Sequence, residues 1–273
     1  MIIYIPNGIN PSEALPRTTH LSVAAHPDDI EIMSYHGILE CFERDDRHFT
    51  GVVVTNGSGS PKSGVYANLT PAEIIEIRRE EQKETADIGR YNAQIFLNYP
   101  SPSVKTRDNA DVSMDLKKII SETRPEYIYT HNPADKHETH VGVAVTLIKA
   151  LRELDYKPAM VYGCEVWRDL DWMSDAEKLC LDVGGNHALE KALLGVFKSQ
   201  ICSGKRYDLG TIGRRRANAA FAKSHDIGNT DSLTFAMDLT PLIKDKSIDI
   251  CEFLMRHIDE FKNEVMESVN KFQ

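Results

Sequence analysis

The sequence predicts an α/β fold, a doubly wound and mostly parallel sheet continued by a mainly helical C-terminal extension. Three observations carry this. Short apolar runs alternate with helical stretches from about His20 to Trp167. One of those runs, Thr50 to Thr55, is almost continuously apolar, as expected of a parallel strand covered on both faces. No internal repeat or low-complexity segment interrupts the alternation, and after Trp167 the pattern turns mostly helical. The arrangement is Rossmann-like, with an expected core over residues 1–170. Residues 171–273 are expected to pack on that core without forming an independent domain.

Taken in order, residues 1 to 18 contain three prolines and read as an extended arm. His20 to Ala25 is the first expected strand, followed by a helix to about Arg44. Thr50 to Thr55 is the second, and it ends in Asn56 to Gly64, a loop dense in glycine and serine that suits either a substrate lid or a plain connection. Thr70-Pro71-Ala72-Glu73 is a helix start. Thr70 can cap the backbone, Pro71 fits the first turn, and Glu73 completes a capping box. That helix should run to Gly89 with Ile74, Ile77 and Ile88 inward.

Gln94 to Asn98 is the third strand, ended by Tyr99-Pro100-Ser101-Pro102. A helix over Val112 to Thr123 buries Val112, Leu116, Ile119 and Ile120 before Arg124-Pro125 stops it. Tyr127 to Thr130 and Met160 to Trp167 are the fourth and fifth strands, with a helix over Val141 to Leu151 between them. Further helices are expected over 186–199, 211–224 and 248–269. The last shows Cys251, Leu254, Ile258, Phe261 and Val265 at spacings of three and four. This stripe is expected to pack on the chain's own body, with a homo-oligomer contact as the alternative.

Composition narrows the function. Lysine and arginine total 32 against 41 aspartate and glutamate, a formal charge of −9 that argues against a nucleic-acid surface. Arg214-Arg215-Arg216 is too short a basic run to reverse this. The first residues lack a basic, apolar leader, and no apolar run approaches the roughly 18 residues of a membrane span. Five widely spaced cysteines without a CxxC pair suit reduced thiols, so a cytoplasmic protein without membrane contact is expected. No G-x-G-x-x-G follows the first strand, which argues against a dinucleotide enzyme.

Chemistry concentrates in two stretches. His26-Pro27-Asp28-Asp29-Ile30-Glu31 directly follows the first strand. His131-Asn132-Pro133-Ala134-Asp135-Lys136-His137-Glu138-Thr139-His140 follows the fourth. Ligands bind outside the carboxyl ends of strands in such sheets, so the two corners can converge. Histidine and aspartate are zinc ligands, and a catalytic zinc needs only three protein donors plus an open position. The same set with open positions also suits iron(II).

His26-Pro27-Asp28-Asp29 with Glu31, followed about 110 residues later by Asp135-x-His137-x-x-His140, resembles the PIG-L (LmbE-like) family of metal-dependent N-deacetylases. Val52-Val53-Val54-Thr55-Asn56-Gly57-Ser58 resembles that family's second strand and glycine turn, and Arg78-Arg79-Glu80-Glu81 its Arg-Glu helix. The resemblance implies His26, Asp29 and His140 as metal ligands, with Zn2+ expected and Fe2+ or another divalent ion as the alternative. It implies Asp28 as the general base toward water activated at the metal, and His137 as the group facing the developing oxyanion. Arg78, Asn56 and His131 become candidate substrate contacts. One departure stands out: the family has Pro-Asp between the two histidines where this chain has Glu138-Thr139, so His137 lacks the aspartate that would charge it.

The implied activity is removal of an N-acetyl group from an amino sugar or related small molecule. Two alternatives stand beside it. One is a metal-dependent hydrolase of another amide or ester. The other is a non-catalytic sugar- or nucleotide-binding protein on the same fold.

Overall fold

A computed structural model describes all residues except 60–61, 108 and 223–228. Among the described residues eight strands form one sheet. In chain order they are β1 (Ile2–Tyr4), β2 (His20–Ala24), β3 (Phe49–Thr55), β4 (Ala93–Tyr99), β5 (Tyr127–His131), β6 (Met160–Cys164), β7 (Leu179–Asp182) and β8 (Leu233–Asp238). Their spatial order is β1-β4-β3-β2-β5-β6-β8-β7. The five central strands are parallel, while β1, β8 and β7 pair antiparallel at the edges.

From β2 the chain steps outward through β3 and β4, then returns to place β5 on the other side of β2. This reversal makes the carboxyl ends of β2 and β5 the topological switch point, where side chains from two loops share one crevice. Both histidine-rich stretches leave the sheet there.

Helices cover both faces. They are α1 (Pro11–Ala14), α2 (Asp29–Met33), α3 (Tyr35–Cys41), α4 (Pro71–Ile88), α5 (Ser101–Val104), α6 (Ala110–Thr123), α7 (Glu138–Glu153), α8 (His187–Val196), α9 (Lys198–Gln200), α10 (Tyr207–Phe221), α11 (Thr240–Lys244) and α12 (Ile250–Asn270). Alternate residues of a strand point to opposite faces. Thus Val52 and Val54 join Leu116, Ile120, Val143 and Leu147 in one core, while Val53 joins Ile30, Met33, Ile38 and Leu193 in the other. The Thr70 capping box forms as expected, with Glu73 N–H donating to Thr70 Oγ1 and Thr70 N–H to Glu73 Oε2.

The structure differs from expectation at four places. The arm contains β1, held against β4 and fixed by Tyr4 Oη donating to Asp87 Oδ1 at 2.7 Å. The helix after the first motif breaks at Ser34, whose hydroxyl sits 2.7 Å from Ser22 Oγ and whose backbone leaves the helical region. The C-terminal part contributes β7 and β8 to the same sheet. The stripe on α12 does not pack on the body along its length: Phe253 and His257 are buried, but Ile258, Phe261 and Val265 are 40–45% exposed. The tail of the expected helix 211–224, Ser224, and residues 60–61 of the candidate lid lie outside the described residues.

Candidate active site

β2 ends at Ala24, and the next four residues turn the chain from strand into α2. Asp29 opens that helix, with its Oδ2 accepting the His26 backbone N–H at 2.7 Å. The same oxygen lies 3.2 Å from His26 Nδ1 and 3.3 Å from His140 Nε2, in the first turn of α7. The two imidazole nitrogens are themselves 3.2 Å apart. Donors about 2.0–2.2 Å from a tetrahedral zinc stand roughly 3.3–3.6 Å from one another, so this triangle has the size of a metal's ligand set.

Two other groupings lie close by, Asp29 with His131 and His140, and His26 with His137 and His140. A neutral imidazole has one lone pair to give. His131 Nε2 spends its own on the Ala25 N–H at 2.9 Å, and His137 Nδ1 accepts the Thr139 N–H at 3.3 Å. The ring nitrogens His26 Nδ1 and His140 Nε2 are left facing Asp29 Oδ2.

The electrostatics agree. Burial pushes the Asp29 carboxyl up, but His140 beside it, then His26, hold it well below the usual carboxylate range. Burial works against the His140 cation, yet Asp29 and Asp135 outweigh it and raise that ring to about 9. A metal ion would take the place of this proton between the same donors. Asp135 Oδ2 faces His140 Nδ1 at 3.6 Å, the side away from the triangle, while Oδ1 accepts the His137 backbone N–H at 2.9 Å. A carboxylate behind a ligating histidine fixes its tautomer and raises its basicity.

Asp28 adopts φ 87° and ψ −26°, a left-handed conformation that non-glycine residues seldom hold. Its backbone N–H is fixed by Gln82 Oε1 at 3.2 Å, and its side chain makes no capping bond to α2. The carboxyl is thus free to face the cavity, which it lines. Burial first, then the Asp29 charge, push it well above the usual carboxylate range, with Arg78 opposing.

His137 is the N-cap of α7, and Thr139 N–H on Nδ1 leaves the proton on Nε2. Burial, then the neighbouring His140 and His26, lower this ring to about 4, so it is neutral at pH 7 and donates through Nε2–H. Asp135 holds the His137 backbone while facing the ring of His140. Thr139 lines the cavity, with its Oγ1 buried and without a hydrogen-bond partner.

The three candidate substrate contacts sit differently. Arg78 is fully buried, donating to the Gly57 carbonyl and to Gln200 Oε1, and does not line the cavity. It anchors the glycine turn behind Asp28. Asn56 closes that turn by accepting the Ser58 N–H at 3.1 Å. His131 is buried and stacks on His140 with ring centroids 3.9 Å apart, so it supports a ligand from behind.

The cavity holds about 530 Å³. Its floor is His26, Asp28, Asp29 and His137, and its walls include Ile32, Pro102, Lys105, Trp167, Gln200, Lys205, Tyr207 and Arg214. Sequence reasoning did not pick out this wall. The one hint was the run Arg214-Arg215-Arg216, weighed only as a nucleic-acid signal.

Fold and site together define an α/β protein with a candidate metal centre at the switch point between β2 and β5. Residues 21–151 match the model of the PIG-L family, described as GlcNAc-PI de-N-acetylase. Among solved structures, N,N'-diacetylchitobiose deacetylase from Pyrococcus horikoshii is similar with a TM-score of 0.65 and 15% identity, over 83% of this chain and 85% of that one. The 4-carboxy-2-hydroxymuconate hydratase GalB from Pseudomonas putida gives 0.63 and 18%, over 81% and 96%. The A40926 pseudoaglycone deacetylase Dbv21 gives 0.60 and 16%, over 81% and 97%. These likenesses show the fold. No curated protein matches the sequence.

Proposed function

We propose that this chain is a metal-dependent hydrolase that removes an N-acetyl group from an amino sugar or a related small molecule. The observation that carries the reading is the His26–Asp29–His140 triangle, of which His26 and Asp29 line a cavity and His140 lies buried behind them, with the uncapped Asp28 carboxyl lining the same cavity. The PIG-L match supports acetamide chemistry on a sugar. Zn2+, or Fe2+ in its stead, held by these three residues would act as a Lewis acid that lowers the pKa of water and polarises the amide carbonyl.

Asp28 takes the proton of the attacking water and returns it to the departing nitrogen. Its raised affinity for a proton suits a base that must also act as an acid in the same cycle. His137 donates through Nε2–H to the oxygen that gains charge, a contact worth about 3 kcal/mol in the transition state. Asp135 keeps His140 in the tautomer that presents Nε2 to the triangle. Pro27 and Gly57 shape the loop that holds Asp28, since a Cβ on Gly57 would come within 3.1 Å of Pro27 Cδ.

The test is primary-amine release from N-acetylated amino sugars by zinc-loaded protein, with a chelated sample alongside. Release that stops on chelation and returns with metal supports the reading. An absence of release from protein that binds one metal per chain would overturn it in favour of another amide, an ester or ligand binding alone. None of the described helices is long and apolar enough to cross a membrane.

A further inference from the structure

The cavity wall is basic in an acidic chain. Lys105, Lys205, Arg206 and Arg214 all line it, although the formal charge is −9. Two of these are already neutralised: Lys105 lies 3.3 Å from Glu138, and Arg206 lies 2.7 Å from Asp208. Among the described residues, Lys205 and Arg214 have no carboxylate in ion-pair contact. They arrive from different segments, the irregular turn at Ile201–Lys205 and α10, yet reach the same wall.

Between them stands an aromatic corner. The Lys205 ammonium lies 5.3 Å from the Trp167 ring centroid and 5.9 Å from that of Tyr207, and the two rings meet edge to face at 5.8 Å. Arg214 is steadied by one N–H on the Val166 carbonyl, leaving other guanidinium donors for a ligand. Trp167 in turn is 6.2 Å from His137 between ring centroids. Trp167 thus stands next to both His137 and Lys205, joining the reacting end of the cavity to its basic wall.

Cations on the wall of a concave, low-dielectric site raise its positive potential until something of opposite charge binds. A guanidinium and an ammonium lining one cavity suit a phosphate or a carboxylate. We propose that the substrate carries such an anionic group on the side of the amino sugar away from its acetamide. Lys205 and Arg214 bind that group, and Trp167 lies against the sugar ring. The inference rests on the deacetylase reading for the sugar, but its residues lie beyond the stretch matched by the family.

The experiment measures kcat/KM for N-acetylglucosamine, its 1-phosphate, its 6-phosphate and its O3-lactyl ether, which carries a carboxylate. The anionic sugars should be preferred by about 30-fold or more, with the preference shrinking as salt is raised. Each charged hydrogen bond contributes several-fold to tenfold, so K205Q/R214Q should lose that preference of about 30-fold or more and bring the ratio of anionic to neutral turnover near one. Lys205→Arg should keep most of it. The better of the phosphate and lactyl arms identifies the anion. Equal turnover of neutral and anionic sugars, or an unchanged ratio in the double variant, overturns the proposal.

If no sugar releases amine, the deacetylase reading fails, and calorimetric titration of the same sugars decides the anion site separately. Binding of an anionic sugar to the native chain that is lost in K205Q/R214Q upholds the site. Absent binding, or binding the double variant retains, overturns it.

Discussion

Asp28→Asn separates the catalytic role of this residue from any structural one. The residue is 6% exposed, its side chain makes no capping bond, and its backbone holds φ 87°. Asparagine is among the side chains that best tolerate that left-handed conformation, and it has nearly the same size. The Gln82 bond is made by the backbone N–H and survives the change. Fold stability should therefore stay within about 1 kcal/mol of the native chain, the ordinary range for a substitution that removes no packing or partner. The triangle of His26, Asp29 and His140 is untouched, so metal content should stay at one ion per chain.

Turnover should not survive. Asparagine cannot take a proton, and loss of a positioned base costs about 10²- to 10⁴-fold, roughly 3–5 kcal/mol on the barrier. The assay compares kcat by amine release with bound metal by elemental analysis and with the urea midpoint of unfolding. A kcat within tenfold of native would remove Asp28 as the base. A loss of metal or of stability to match the loss of turnover would return it to a structural role.

Three other outcomes follow from single contacts. Chelation should abolish amine release and lower the thermal midpoint, because an ion bound only to the folded chain stabilises it by mass action; an unchanged midpoint would show that the triangle holds no structural ion. Glu190→Gln should cost about 3–5 kcal/mol in urea unfolding, since it strands the buried Arg215 guanidinium now 2.7 Å from Glu190 Oε1, and a loss under 1 kcal/mol would refute this. His20 is held neutral by burial, then by Arg47 and His36, with its ring lowered to about 4 from 6.5. The unfolded chain binds that proton first, so the contribution is complete above pH 6.5 and is lost as pH falls toward 4, by up to about 3 kcal/mol. His20→Gln should flatten urea stability across that window, and an unaltered slope would show that another group titrates there.

How much of this was legible in the sequence depends on how far apart in the chain the cooperating groups lie. His26, Asp28 and Asp29 occupy one strand-to-helix corner, and His137 and His140 one helix start, so local turn geometry alone brings each set together. Thr70 with Glu73 was legible for the same reason. The edge strands were not. β1 has three residues, too few for a period of two to register. β7 and β8 pair with each other across some fifty residues of mostly helical chain, and their partners are set by the sheet rather than by their own pattern.

The cavity wall was hidden by a different cause. In the run Arg214-Arg215-Arg216, successive residues of α10 point about 100° apart, so three like charges have three separate fates. Arg214 reaches the cavity and the Val166 carbonyl. Arg215 is buried on Glu190 and donates to the carbonyls of Glu31 and Ile32 in α2. Arg216 turns out to Asp231 and His187. Only the docking of α10 decides which of them meets the cavity, and Arg215 is one of the buried contacts that hold it. The same guanidinium that ties α10 to the helix opened by Asp29 thereby aims Arg214 at the cavity above it. The proposed metal triangle and the proposed anion wall therefore share one buried contact, the pair of Arg215 with Glu190, which no motif marks.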